Sequence, residues 1–170
     1  MLALPQPPGE PAPIRALGLA VDWLVVAAGA TMVVLVFLNV LLHLVGKDLA
    51  WVIELCEFLM VWVTFFGAAA ASRRGAHMAV TELVDLAPGA AQRWVDAAIQ
   101  AVVLVTLGLL TWFGYGIVQA SWGNVLTVLE LSMAWQYMAL PVGSALAIVF
   151  VADDLVRVLR GMSRAQRFGA

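Results

Sequence analysis

The sequence predicts an all-α integral membrane protein: four transmembrane helices with short interfacial amphipathic helices, both termini cytoplasmic. Three observations carry that expectation. The 170-residue chain is 64% hydrophobic and only 12% charged, where a soluble domain is about 45–50% apolar and about 25% charged. Its apolar residues gather into four stretches that each reach the ~20 residues a helix needs to cross a bilayer. Its lysines and arginines fall almost entirely on one side of those stretches, as the positive-inside bias requires.

The first 14 residues, MLALPQPPGEPAPI, hold five of the seven prolines. They are read as a disordered tail with little apolar surface to bury. They lack the basic, then apolar, order of a cleavable signal peptide. The membrane domain follows over residues 15–160. Its first span covers about 17–45, interrupted only by Asp22, Asn39 and His43. The second covers about 51–72 and carries Glu54 and Glu57 in its first two turns. The third, about 95–119, has Asp96 and Gln100 near its start, and the fourth, about 134–156, has Asp153 and Asp154 near its end. Every charge inside a span sits near an end, because an ionised group at the bilayer centre costs at least ~2.5–3.5 kcal/mol. Residues 161–170 form a basic tail.

Arg15, Arg73, Arg74, Arg93, Arg157, Arg160, Arg164 and Arg167 fall on one side of this plan, and Lys47 alone on the other. Trp23 and Trp94 mark the same side as the arginines, and Trp51, Trp122 and Trp135 the opposite one, as two interfacial belts. Arg73 and Arg74 are read first as the charges that end the second span and touch anionic lipid. His77 close behind is not required by that reading. Between them and the third span, Val80, Leu83, Val84 and Ala87 recur at helical spacing, a short amphipathic helix that ends at Pro88-Gly89 and lies on the membrane surface. The apolar segment 120–133 on the other side is either interfacial or a surface for another protein.

Within the second span, FFGAAAASRR places Gly67 and Ala71, and Ala68 and Ser72, four apart, a small-residue face that lets helices approach in lipid. Glu54 and Glu57, three apart, share one helix face. They are either solvated carboxylates or a contact to another helix or protein. No catalytic set assembles: two histidines on opposite sides and a lone Cys56 cannot hold a zinc ion or ligate a haem, and no serine stands beside a base. No cofactor is expected. A net charge of −2 with no basic face excludes nucleic acid as a partner.

Two stretches have a familiar form: NVLLHLVGKDLAWVIELCEFLMVWVTFFGAAAASRRGAHMAV from Asn39 to Val80, and YMALPVG from Tyr137 to Gly143. They resemble the small, DctQ-like membrane subunit of TRAP (tripartite ATP-independent periplasmic) transporters. The matching positions are Asn39, Trp51, Glu54, the Val61-Trp62 pair, Gly67, Arg73 or Arg74, Gly75 with His77, Tyr137, Pro141 and Gly143. His43, Ile53 and Thr81 depart from the pattern, standing where the family often has Arg, Glu and Asp. The resemblance implies a non-catalytic subunit that braces a large, ion-coupled membrane subunit with its own substrate and sodium sites. It also implies a periplasmic binding protein that delivers an organic acid, and a place in the bacterial inner membrane. Asn39, Trp51, Glu54, Glu57, Gly67, Arg73, Arg74, His77, Tyr137 and Pro141 are then the candidate interface or structural residues. The alternative is a self-contained homodimeric transporter, which would want an ionisable residue deep in a span.

Topology follows from the charge count alone. Reporter fusions at Gly46, Pro88, Asn124 and the C-terminus are expected to read out, in, out and in. A periplasmic signal at Pro88 would overturn the arrangement.

Overall fold

The computed structural model describes residues 10–75, 90–162 and 166–167. Helix α1 spans Ala12–His43, α2 Ala50–Arg73, α3 Ala90–Ala120, α4 Ala134–Tyr137 and α5 Ala139–Leu159. Four membrane-crossing helices result, α4 and α5 forming one span over Ala134–Leu159. Among the described residues no strand forms, and the one pairing of that kind is an isolated bridge between Val125 and Ser132. His77 and the amphipathic helix expected over residues 80–87 lie outside the described residues.

The four expected spans are all present, with ends moved by a few residues. Helices α1 and α3 both begin five residues early, and α1 does so at Ala12, inside the stretch expected to be a disordered tail. Pro13 occupies its first turn, where the missing N–H has no intrahelical acceptor to lose and the fixed φ already suits a helix. The chain just before it is held as well, because Glu10 is ion-paired. Residues 1–9 lie outside the described residues.

The turn between α1 and α2 is built from backbone and one amide. Gly46 adopts φ +73°, and Lys47 N–H donates back to the Leu42 carbonyl at 3.0 Å, closing the end of α1 as a left-handed residue allows. Leu49, which precedes α2, donates its N–H to Asn39 Oδ1 at 3.0 Å. The deep amide of the first span is thus committed to a cap for the second. The α4–α5 break at Met138 has a local cause. Pro141 has no N–H for the Tyr137 carbonyl, and its ring crowds that oxygen. Hydroxyls inside the spans return to their own helices: Thr31, Thr64, Thr106 and Thr111 each donate to the carbonyl four residues back at 2.8–3.0 Å, which meets their hydrogen-bonding need without a partner in lipid.

Packing orders the helices differently from the chain. α1 lies on α2, α2 on α5, and α5 on α3, so the spatial order is α1, α2, α5, α3. The arrangement is a row rather than a closed bundle. In its most apolar 18-residue window α1 has nothing buried, against 33% for the α4–α5 span. A small cluster of Ala69, Ala147 and Phe150, joined by Ile14, Leu17, Leu107 and Leu146, draws on all four spans. Phe58, Trp62 and Phe66 form a ladder along α2, ring centroids 6.3 and 5.2 Å apart.

Small residues do draw helices together, but not where the sequence pattern put them. A Cβ on Gly67 would meet nothing within 4 Å. The closely packed residues of α2 are Ala69 and Ala70, and the glycine that permits contact is Gly143, whose added Cβ would fall 2.6 Å from Phe65 Cβ and 3.1 Å from the Phe65 carbonyl carbon. Backbone cannot yield as a side chain can. Gly143→Val is therefore expected to force α2 and α5 apart and lower stability by about 1–3 kcal/mol, while Gly67→Val leaves it nearly unchanged. Thermal unfolding in detergent micelles, followed by gel filtration of the heated protein, measures both. Equal melting temperatures for Gly143→Val and the parent would refute the close approach.

Candidate functional site

The polar side chains concentrate at the two ends of the helix row. At one end the last turn of α2 meets the first turns of α1. Arg73 is only 4% exposed. Its Nε and Nη2 donate to the two carboxylate oxygens of Glu10 at 2.8 and 2.6 Å, a bidentate fork, and Nη1 lies 3.4 Å from Asp22 Oδ2. Arg74 Nη2 donates to the other oxygen of Asp22. Gly18 lies directly under the guanidinium, where any Cβ would collide with it. Two arginines and two carboxylates thus form one largely buried group where the start of α1 meets the end of α2. In low dielectric such a pairing must be complete, because each charge is costly without its partner.

A second group ties α3, α5 and the C-terminal segment. Gln100 Nε2 donates to Asp154 Oδ2 at 2.6 Å. Arg167 Nη1 donates to the same oxygen at 2.6 Å, and Nη2 donates to Asp96 Oδ2. Arg157 pairs with Asp153 one turn back at 2.8 Å, and Arg93 donates to the Leu159 carbonyl. The expected basic tail therefore supplies, at Arg167, a buried tie between two spans. The two groups meet at a cavity of about 10 Å³ lined by Glu10, Arg73, Asp153, Asp154, Arg157 and Arg167, among others. That is the room of about one water molecule, far below the ~300–1,000 Å³ of a small-molecule site.

At the opposite end, Glu54 sits in the second turn of α2 and accepts the N–H groups of Val128 and Leu129, at 2.8–3.0 Å, from the segment that joins α3 to α4. Its partner is a loop of its own chain. Glu57, on the same helix face, is exposed. His43 Nδ1 lies 2.7 Å from Asp48 Oδ1. Trp51 and Tyr137 are exposed at this end, and Pro141 sets the helix break beside Tyr137.

The sequence candidates thus divide. Asn39, Glu54, Arg73 and Arg74 have structural partners; Trp51, Glu57, Gly67 and Tyr137 face outward; His77 lies outside the described residues. Arg73 is not a solvated stop-transfer charge in this structure. Glu10, Asp22, Asp96, Gln100, Asp154 and Arg167 complete the ionic groups. Their signal in the sequence was an acidic residue near the arginine end of three of the spans, opposite the excess of arginine.

The comparisons with known proteins agree with this picture of a small membrane component. The family model described as "Tripartite ATP-independent periplasmic transporters, DctQ component" matches residues 32–161. The chain is similar to the sialic acid TRAP transporter small permease protein SiaQ of Vibrio cholerae serotype O1, 28% identical over 116 residues, covering 66% of this chain and 67% of that protein. It is also similar to the C4-dicarboxylate TRAP transporter small permease protein DctQ of Rhodobacter capsulatus, 34% identical over 104 residues, covering 59% of this chain and 45% of that protein.

The Arg73 geometry separates two roles by substitution. If only positive charge matters, Arg73→Lys should behave as the parent. The bidentate fork to Glu10 and the reach to Asp22 need a guanidinium, so Arg73→Lys is expected to unfold at clearly lower temperature in detergent. Arg73→Ala should lose about 3–5 kcal/mol, the usual cost of stranding a buried carboxylate. Parent-like melting of Arg73→Lys would return Arg73 to the role of a topology charge.

Proposed function

The chain belongs to the DctQ-component family of tripartite ATP-independent periplasmic transporters, and from that membership we propose that it acts as the non-catalytic brace of a larger transport subunit. In this reading it sits in the bacterial inner membrane with both termini cytoplasmic. The large subunit carries the substrate and sodium sites, and a periplasmic binding protein delivers an organic acid to it.

One observation carries the bracing role: the four spans stand in a row whose faces are apolar and whose ion pairs gather at the helix ends. Transport needs a polar pathway near the midplane, commonly formed by broken helices whose ends hold substrate and ion. Here the break at Met138 lies at the end of a span, and Asn39 caps α2. At the arginine end Glu10, Arg73, Asp153, Asp154, Arg157 and Arg167 are each ion-paired and line a water-sized cavity. What such a row offers a partner is area, on both faces and along its edges. Val33, Val34 and Phe37 of α1, and Val102, Val105 and Trp112 of α3, are all well exposed. Gly67, open to its surroundings, supports a close helix contact from outside the chain.

The two relatives named above are described for different solutes, sialic acid in one and C4-dicarboxylates in the other. That difference supports placing solute choice in the other components. A self-contained homodimer is the weaker reading, because the charged groups are drawn into clusters at the helix ends.

Reconstitution in liposomes under a sodium gradient tests the proposal. No uptake is expected from this chain alone, and uptake only when the large subunit and the loaded binding protein are present. Gradient-driven, substrate-specific flux from the purified small chain would overturn it.

A further inference from the structure

Residues 121–133, which join α3 to α4 at the Glu54 end, are built unlike a loop in water. Across residues 120–138 the one charged side chain is Glu130, with no lysine or arginine. Leu126 is turned inward and buried, whereas Trp122, Val125, Val128, Leu131 and Trp135 are each 45–52% exposed. The two indoles meet edge to face with centroids 6.0 Å apart. Such amphipathic rings are enriched at the headgroup level of a bilayer.

The backbone makes the second, independent observation. A loop in water can leave its N–H groups to the solvent, whereas a segment in or against hydrocarbon must satisfy them inside the protein. This segment folds back on itself. Leu126 N–H donates to the Leu131 carbonyl and Met133 N–H to the Asn124 carbonyl, each at 2.8 Å, and Glu130 N–H donates to Leu126 at 3.2 Å. The Ser132 hydroxyl donates to the Trp122 carbonyl at 3.1 Å. At the tip, Val128 and Leu129 N–H are taken by the Glu54 carboxylate. Glu130 turns the chain there at φ 52°, a conformation uncommon for a residue with a side chain.

Depth follows from the same contact. Glu54 is four residues beyond the first residue of α2, about 6 Å along the helix. A tip bonded to Glu54 is drawn back toward the membrane rather than standing off the ends of the spans. The exposed apolar side chains of the loop continue the exposed apolar surface of α3, at Tyr115 and Ile117.

We infer that residues 121–135 form an interfacial loop that inserts Trp122, Val125, Val128, Leu131 and Trp135 into the headgroup–acyl boundary of the bilayer, and that Glu54 is the positioning residue that holds it there. The partner of this surface is lipid. A soluble protein would be recognised through a rim of polar and charged groups, and this surface carries one carboxylate. The inference stands apart from the transport reading, since it rests on the loop, α2 and the adjoining end of α3.

Nitroxide labels test it in the full chain. Cys56, the single cysteine, is first replaced by alanine, and single cysteines are introduced as Val128→Cys, Leu131→Cys and, as a lipid-facing control, Val33→Cys. The labelled protein is placed in nanodiscs of phosphatidylethanolamine and phosphatidylglycerol. Collision rates with oxygen, which partitions into lipid, are compared with those of a water-soluble nickel chelate. At Val128 and Leu131 the oxygen-to-nickel ratio is expected to exceed one. Adding Glu54→Ala should bring it below one at both sites while leaving the Val33 label unchanged; Glu57→Ala should change neither. Glu54→Gln, which keeps one acceptor oxygen, should fall between. A nickel-dominated ratio at Val128 and Leu131 in the parent overturns the inference. So does a loop that is open to nickel in the bilayer and becomes shielded only when a periplasmic binding protein is added, which would make the surface a protein dock. An unchanged ratio in Glu54→Ala removes Glu54 from the positioning role.

Discussion

Hydrocarbon offers no hydrogen bonds, so a polar group that a chain carries into it is costly unless it finds a partner within the protein. That single demand explains most of what is specific about this structure. Threonines in the spans bond to their own helices. Asn39 closes the start of α2, and Glu54 holds the tip of a loop 74 residues away. At the other end of the row the same demand produces a largely buried set of charges: Arg73 and Arg74 against Glu10 and Asp22, and Arg167 against Asp96 and Asp154. Each tie crosses between elements, so the polar residues fasten the row at its ends while apolar contacts hold its length.

The row itself has a functional consequence. A closed bundle would hide its best packing surfaces inside. Four helices in the order α1, α2, α5, α3 keep the buried core small, concentrated at Ala69, Ala147 and Phe150, and leave broad apolar faces outside. In lipid this carries no penalty of the kind it would carry in water. A surface of this shape suits the bracing role proposed above. The close approaches inside the row, at Gly143 against Phe65 and Gly18 against Arg73, are the places where it tolerates no added bulk.

Much of the plan was legible from residues alone. Four apolar stretches and charges confined to span ends led to four helices, and residues 39–80 and 137–143 led to the family. Small-residue spacing in α2 was legible too, but it pointed to Gly67 where the chain instead uses Ala69, Ala70 and, from α5, Gly143. Periodicity identifies which residues share a face; it does not say which neighbour that face meets. The proline-rich start was read as tail up to residue 14 because prolines oppose helix interiors. The structure begins α1 at Ala12 because a proline in the first turn loses nothing.

The sequence by itself determined the solvent, the number of crossings and the side on which the arginines gather, because each of these follows from local composition and from the cost of moving charge into lipid. Only the tertiary structure decided what the charges do. Glu10 and Arg73 are 63 residues apart, Asp96 and Arg167 71, and nothing in local pattern says that they meet. An arginine at the end of a span looks the same in sequence whether it faces headgroups or a buried carboxylate. Which of the two it faces depends on how the helices lie against one another, and that is set by the summed packing of side chains distant in the chain.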